Sequence, residues 1–114
     1  MHEVGIMEQA VEMALEAAQR EGATQVVRMK LRIGSLAGVV PDALAFAFDM
    51  VTRETAAEGA EFEWEEVPVR CRCRTGCADF EPDGPIFACP SCGLLSTEVL
   101  QGRELNLVEI EVAA

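Results

Sequence analysis

The only histidine of the chain is His2, placed between Met1 and Glu3. An imidazole in that position is part of a chelator. The free α-amine, the backbone nitrogen of His2 and its Nδ1 can close on one metal ion through small rings, and the backbone amide of Glu3 completes a plane of four nitrogens. A planar nitrogen set suits Ni(II) or Cu(II), whereas a thiolate set suits zinc. Amine and imidazole must lose protons to bind, at reference values near ~7.7–8.0 and ~6.5, so affinity is expected to fall below neutral pH. A bulky second residue is expected to hinder removal of Met1 and so leave a defined chain end. The Glu3 carboxylate is available to tune affinity or to serve as a spare ligand. Such a site is exposed and easily unmade, which suits passing an ion on.

A second kind of metal chemistry is written far from the first, in Cys71, Cys73, Cys77, Cys89 and Cys92. Cys89-Pro90-Ser91-Cys92-Gly93 is one half of a zinc knuckle, two thiolates two residues apart with a glycine that permits the tight turn beyond. The other half is irregular, offering a one-residue gap (Cys71 to Cys73) and a three-residue gap (Cys73 to Cys77). Tetrahedral zinc takes four ligands, so one thiol is spare. Cys73, Cys77, Cys89 and Cys92 are the favoured set. In an extended lead-in Cys71 points to the same side as Cys73, with little room for a tetrahedral angle between them, and it stays the alternative ligand. With sulfur able to fill every position and no base beside the cluster, the site reads as structural rather than catalytic.

The elements that must position these groups follow from periodicity. Met7, Val11, Ala14, Leu15 and Ala18 recur at helical spacing between Val4 and Arg20, with Gly22 as a stop. From Thr24 to Ile33 the period becomes two, with Val27, Met29, Leu31 and Ile33 on one face and Arg28, Lys30 and Arg32 on the other, which predicts a half-buried strand. Pro41 opens a second helix expected to run to about Ala57. Phe62 and Trp64 alternate with glutamates in a strand that Pro68 ends. A last strand follows Gly102, with a bulge near Leu107 and Val108 to reconcile its two parities. Arg28, Lys30 and Arg32 are expected to face Glu63, Glu65, Glu109 or Glu111 across the sheet. The fold class is therefore α+β, two helices packed on a three-stranded sheet with an inserted zinc-ribbon-like module of four cysteines. Residues 1–69 and 101–114 form the α+β nickel-binding domain. Residues 70–100 form the zinc-binding module, a segment with little apolar periodicity of its own that cannot bury enough to order itself without a cross-link.

Bulk properties narrow the partners. A chain of 114 residues with half its residues apolar and a quarter charged is expected to fold as one core with a small appendage. It holds no run of about 18 uncharged apolar residues, so membrane insertion is not expected. A net charge of −11 argues against nucleic acid, whose phosphates demand lysine and arginine. The acidic first segment lacks the pattern of a secretory signal, and reduced paired cysteines fit the cytoplasm. There is no nucleophile with a neighbouring base, no phosphate-binding glycine loop and no catalytic carboxylate cluster, so an enzyme is not expected.

Taken together, Met1-His2-Glu3, the Gly34-Ser35-Leu36 turn leading through Val40-Pro41 to Ala47-Phe48, the cysteine pairs, Phe80, Cys89-Pro90-Ser91-Cys92-Gly93 and Gly102-Arg103-Glu104-Leu105 resemble the HypA/HybF hydrogenase nickel-incorporation proteins over essentially the whole length. The resemblance implies a nickel metallochaperone. It would work with a nickel-insertion GTPase on the hydrogenase large subunit precursor during maturation of [NiFe] hydrogenase, and in some organisms urease. Met1, His2 and Glu3 fall on its nickel site, and Cys73, Cys89 and Cys92 on zinc ligands. The departure is the first knuckle, usually Cys-x-x-Cys. Gly76 stands at the expected second place and Cys77 follows it, which leaves the fourth ligand between Cys77 and Cys71. The alternatives are a zinc-ribbon interaction module with an inert N-terminus and a redox sensor that uses the extra thiol. The nickel enzyme served, the oligomeric state and the partner-binding surface are not written in the chain.

Overall fold

Helix α1 spans Glu3–Arg20, and its buried side chains Met7, Ala10, Val11, Ala14 and Ala18 recur at three- and four-residue steps, as one face of a helix requires. Past Arg20 the chain turns back on itself. The Gly22 amide bonds to Gln19 O and the Ala23 amide to Ala18 O, with Gly22 at φ 71°, where a side chain is disfavoured. These positions come from a computed structural model that describes residues 3–114. Met1 and His2, two of the expected nickel residues, lie outside the described residues.

Strand β1 spans Gln25–Gly34, helix α2 Pro41–Val51, strand β2 Glu61–Val67, β3 Arg70–Arg72, β4 Glu98–Gln101 and β5 Leu105–Ala113. The larger sheet has the order β2-β1-β5. At one end of β1 the Thr24 amide bonds to Ala113 O, and at the other the Gly34 amide bonds to Glu104 O, so β1 and β5 run antiparallel. On the other side Arg28 pairs with Glu63 and Lys30 with Glu65, numbers that rise together as in parallel strands. The sheet is therefore mixed, and α2 makes the crossover that a parallel pair needs.

Two compact units emerge. The first runs from the start of the described chain to Arg32, with Gly38–Glu65 and Asn106–Ala114; the second comprises Ile33–Ala37 and Glu66–Leu105. In the first, α1 packs on α2, and Met7, Val26, Met29, Leu31, Leu44 and Phe48 are buried. The Phe48 ring stacks on Phe62 at 5.2 Å, and Phe62 meets Trp64 at 5.8 Å. The opposite face of the sheet carries the expected charges. Arg28 reaches Glu63 at 3.0 Å and Glu109 at 2.9 Å, Lys30 lies near Glu65 and Glu109, and Arg32 near Glu65. In β5 the neighbours Leu107 and Val108 are both half-buried, so the parity of burial changes there.

One boundary differs from the expectation. Helix α2 ends at Val51, not near Ala57. Thr52 donates its hydroxyl to Phe48 O at 2.7 Å, Thr55 donates to Thr52 O at 2.7 Å, and Glu54 adopts φ 61°. Threonine hydroxyls thus compete for carbonyls at the helix end, and a left-handed residue cannot continue a right-handed helix.

Candidate metal centre

The second unit is built on the antiparallel pair β3 and β4, in which Cys71 lies opposite Val99. Cys71 also exchanges both backbone hydrogen bonds with Phe80, at 2.8 and 2.9 Å. This closes a loop whose interior holds Cys73 and Cys77. The second loop leaves from Cys89: its carbonyl accepts the Gly93 amide at 2.8 Å, its amide donates to Leu94 O at 2.9 Å, and Gly93 takes φ 76°. Here the glycine of the expected knuckle does what the turn needs. In the first loop Gly76 does the same, at φ 91° with its amide directed at Cys73 O, and so a three-residue gap can curl as tightly as a two-residue one.

The Sγ atoms of Cys73, Cys77, Cys89 and Cys92 all lie within 4.8 Å of one another. Cys73 and Cys92 are 3.6 Å apart. A zinc tetrahedron with Zn–S bonds of ~2.3 Å has sulfur–sulfur edges of about 3.8 Å, so this donor set fits a zinc ion in number, kind and spacing. Cys73 and Cys89 are buried, Cys77 is half-buried and Cys92 is exposed. Cys71 is fully buried in one apolar cluster with Cys73, Phe80 and Cys89, against which Val69, Cys77, Phe87 and Val99 pack, but its sulfur is not one of the four that converge. The structure thus brings four of the five thiols together and leaves Cys71 outside that group.

The thiols are electrically unequal. Cys73 is drawn down to about 5, chiefly by the Thr75 hydroxyl at 3.3 Å and then by the Thr75 amide at 3.4 Å. Cys92 is also lowered, first by the Thr75 hydroxyl at 3.5 Å and then by the Leu94 amide. Cys77 is pushed up to about 11 by the sulfurs of Cys73 and Cys89, with burial adding to it. Four sulfurs facing one another without a cation between them repel as thiolates, and a divalent ion would relieve that. Thr75 was not among the expected site residues. Its only sequence signal is its place in the Cys73–Cys77 gap, beside Gly76.

Of the expected nickel residues, Glu3 is described. Its carboxylate accepts the Val40 amide at 3.2 Å, just where α2 begins. An acidic group near a helix N-terminus is favourably placed against the helix dipole.

A unit of two helices and a mixed sheet, joined in one chain to a unit whose paired loops gather four cysteines, defines a small metal-binding α+β protein. The family model described as hydrogenase/urease nickel incorporation, metallochaperone, HypA matches residues 1–112. The chain is 45% identical over 112 residues to the hydrogenase maturation factor HypA of Picosynechococcus sp., covering 98% of this chain and 99% of that one. It is 42% identical over 113 residues to that of Roseiflexus sp., covering 97% and 91%. The solution structure of the Ni metallochaperone HypA from Helicobacter pylori superposes with a TM-score of 0.70 at 21% identity, over 100% of this chain and 99% of that one, and shares the fold. The chain belongs to the HypA family of hydrogenase maturation metallochaperones, which are maturation factors and not enzymes.

Proposed function

We propose that the chain binds Ni(II) at Met1-His2-Glu3 and delivers it during maturation of [NiFe] hydrogenase, while Cys73, Cys77, Cys89 and Cys92 hold a structural zinc. One observation carries this reading. The family match begins at residue 1 and so takes in the only histidine, whereas the converging thiols form a separate, sulfur-only set. Nitrogen donors for nickel and sulfur donors for zinc are thus kept apart, as the preferences of the two ions ask. The Glu3 carboxylate is engaged by Val40, which favours its backbone amide as the fourth planar nitrogen.

Zinc, when bound, supplies a cross-link. The expected zinc-binding module, residues 70–100, lies inside the second compact unit, Ile33–Ala37 with Glu66–Leu105, and Glu3 of the expected nickel site lies in the first. The four thiols hold the ion with no position left for a substrate, and the sequence carries no phosphate-binding glycine loop. Energy for transfer therefore comes from a partner, the nickel-insertion GTPase of the maturation system, and the recipient is the hydrogenase large subunit precursor. Urease is a second recipient that the family description supports. No described helix is long and apolar enough to cross a membrane, which fits work in the cytoplasm.

Nickel and zinc stoichiometry measured on the intact protein, on His2→Ala and on a form with one residue added before Met1 tests the reading. Both altered forms are expected to lose stoichiometric nickel and keep one zinc. Unchanged nickel affinity in either, or nickel found only among thiolates by X-ray absorption, overturns it.

A further inference from the structure

The zinc reading leaves one group at the cage unused. Thr75 sits in the loop between Cys73 and Cys77, and its hydroxyl lies 3.3 Å from Cys73 Sγ and 3.5 Å from Cys92 Sγ. These sulfurs come from opposite halves of the module, 19 residues apart in sequence. They form the edge of the cluster that includes its exposed member, Cys92. The Thr75 amide is directed at Cys73 as well, at 3.4 Å, so backbone and side chain of one residue both donate to the cage.

A neutral hydroxyl does not compete with four thiolates for zinc, but it donates to them. Four thiolates around one divalent ion leave two negative charges in excess on the sulfurs. A donor at a sulfur withdraws part of that charge, making it less nucleophilic and holding it in place. Groups that orient ligands in this way contribute about 10–100-fold to metal affinity. Cys73 is buried and also receives the Cys77 amide. Cys92 is open to solvent and, apart from its sulfur neighbours, has the Leu94 amide beside the Thr75 hydroxyl. Loss of the hydroxyl therefore falls most heavily on Cys92.

We infer that Thr75 is a positioning residue of the zinc cage: its hydroxyl donates its one proton to Cys92 while its amide donates to Cys73, so the residue links the two loops and sets the rate at which the cage opens, always at Cys92 first. This role rests on the zinc reading above. The module then has one hinged corner, and the residue controlling it is not itself a ligand.

The test uses the zinc-loaded full-length chain, Thr75→Val and Thr75→Ser. Valine keeps the branched shape and the backbone amide and removes only the hydroxyl; serine returns it. Two rates are read: zinc transfer to a colorimetric chelator, and alkylation by iodoacetamide mapped by mass spectrometry. Thr75→Val is expected to surrender zinc about tenfold faster, with Cys92 modified first and faster than in the unaltered protein, and Thr75→Ser to return both rates to within about twofold of it. Equal rates in Thr75→Val and the unaltered chain overturn the role, as does a serine variant as fast as the valine one, or alkylation that begins at another cysteine. An unaltered chain that carries no zinc instead overturns the zinc reading, and this inference with it.

Discussion

Gly34 and Gly102 touch backbone to backbone. A Cβ placed on Gly34 would lie 2.1 Å from the Gly102 carbonyl oxygen. The same carbonyl accepts the Leu36 amide at 2.7 Å, and the Gly34 amide donates to Glu104 O at 2.7 Å. Gly102 itself takes φ 121° against Val69, where a Cβ would meet the Val69 backbone at 2.9 Å. Neither obstacle is a flexible side chain, so a substituent at Gly34 must move main chain. Gly34→Ala is expected to destabilise the protein by about 1–3 kcal/mol or more, the cost of overpacking. Urea unfolding measures it, and a loss below about 0.5 kcal/mol would contradict the contact.

Zinc removal should act on one unit before the other. Binding by such sites is worth on the order of 10–16 kcal/mol at neutral pH. The Cys73–Cys92 segment is otherwise ordered by little more than the pair β3 and β4 and the small cluster around Cys71 and Phe80. A chelator is expected to abolish hydrogen-exchange protection at the Cys71, Phe80 and Cys89 amides while those of α1 persist. Cys77→Ala is expected to lose zinc, and Cys71→Ala to keep it and lose only about 1 kcal/mol from the apolar cluster. Zinc content by mass spectrometry separates the two, and zinc lost from Cys71→Ala but kept by Cys77→Ala would reverse the assignment.

Much of this was readable in the chain. The pair Cys89 and Cys92 was explicit, because a knuckle is local and its glycine is visible, whereas the spacing favoured Cys77 over Cys71 as the fourth thiol without settling it. The strand of Arg28, Lys30 and Arg32 announced its glutamate partners because a period of two sorts charges onto one face. Other features were hidden. Strands of three and four residues, β3 and β4, are too short to show a period. The end of α2 depends on the hydroxyl hydrogen bonds of Thr52 and Thr55 and on the left-handed turn at Glu54, while the apolar spacing through Val51 and Thr55 continues as if the helix did. Thr75 gains its place only from the folded position of Cys92, 17 residues away.

The charged face of the sheet carries a pH dependence of defined sign. The Arg28 guanidinium, through its hydrogen bond and charge, holds the Glu109 carboxyl below its ordinary 4.5. A carboxylate with a lowered value in the folded state stabilises that state at pH above the unfolded value, and this contribution is lost as pH falls through the folded value. Stability is therefore expected to decline on acidification below about 4.5, more gently in Glu109→Gln. Both groups are solvent-accessible, so salt should flatten the difference. Thermal midpoints followed downward from about pH 7 through the acid range check it; identical acid limbs in the two proteins would contradict the pairing.

Glu3 provides the last prediction, since its carboxylate and its backbone amide have different work. The carboxylate accepts the Val40 amide at 3.2 Å at the start of α2, whose N-cap Val40 offers no side-chain cap of its own. Glu3→Gln keeps an oxygen that can accept this hydrogen bond but removes the charge, while Glu3→Ala removes both. If nickel is held by the chain-end amine, His2 and backbone nitrogen, both variants retain one nickel per chain. The charge near the helix N-terminus contributes about 0.3–1 kcal/mol, so Glu3→Gln should lose stability on that order and Glu3→Ala more, because it also gives up the hydrogen bond to Val40. Nickel titration beside urea unfolding separates the roles. Loss of nickel from Glu3→Gln with stability intact would make the carboxylate itself a ligand, one that must leave Val40 to bind.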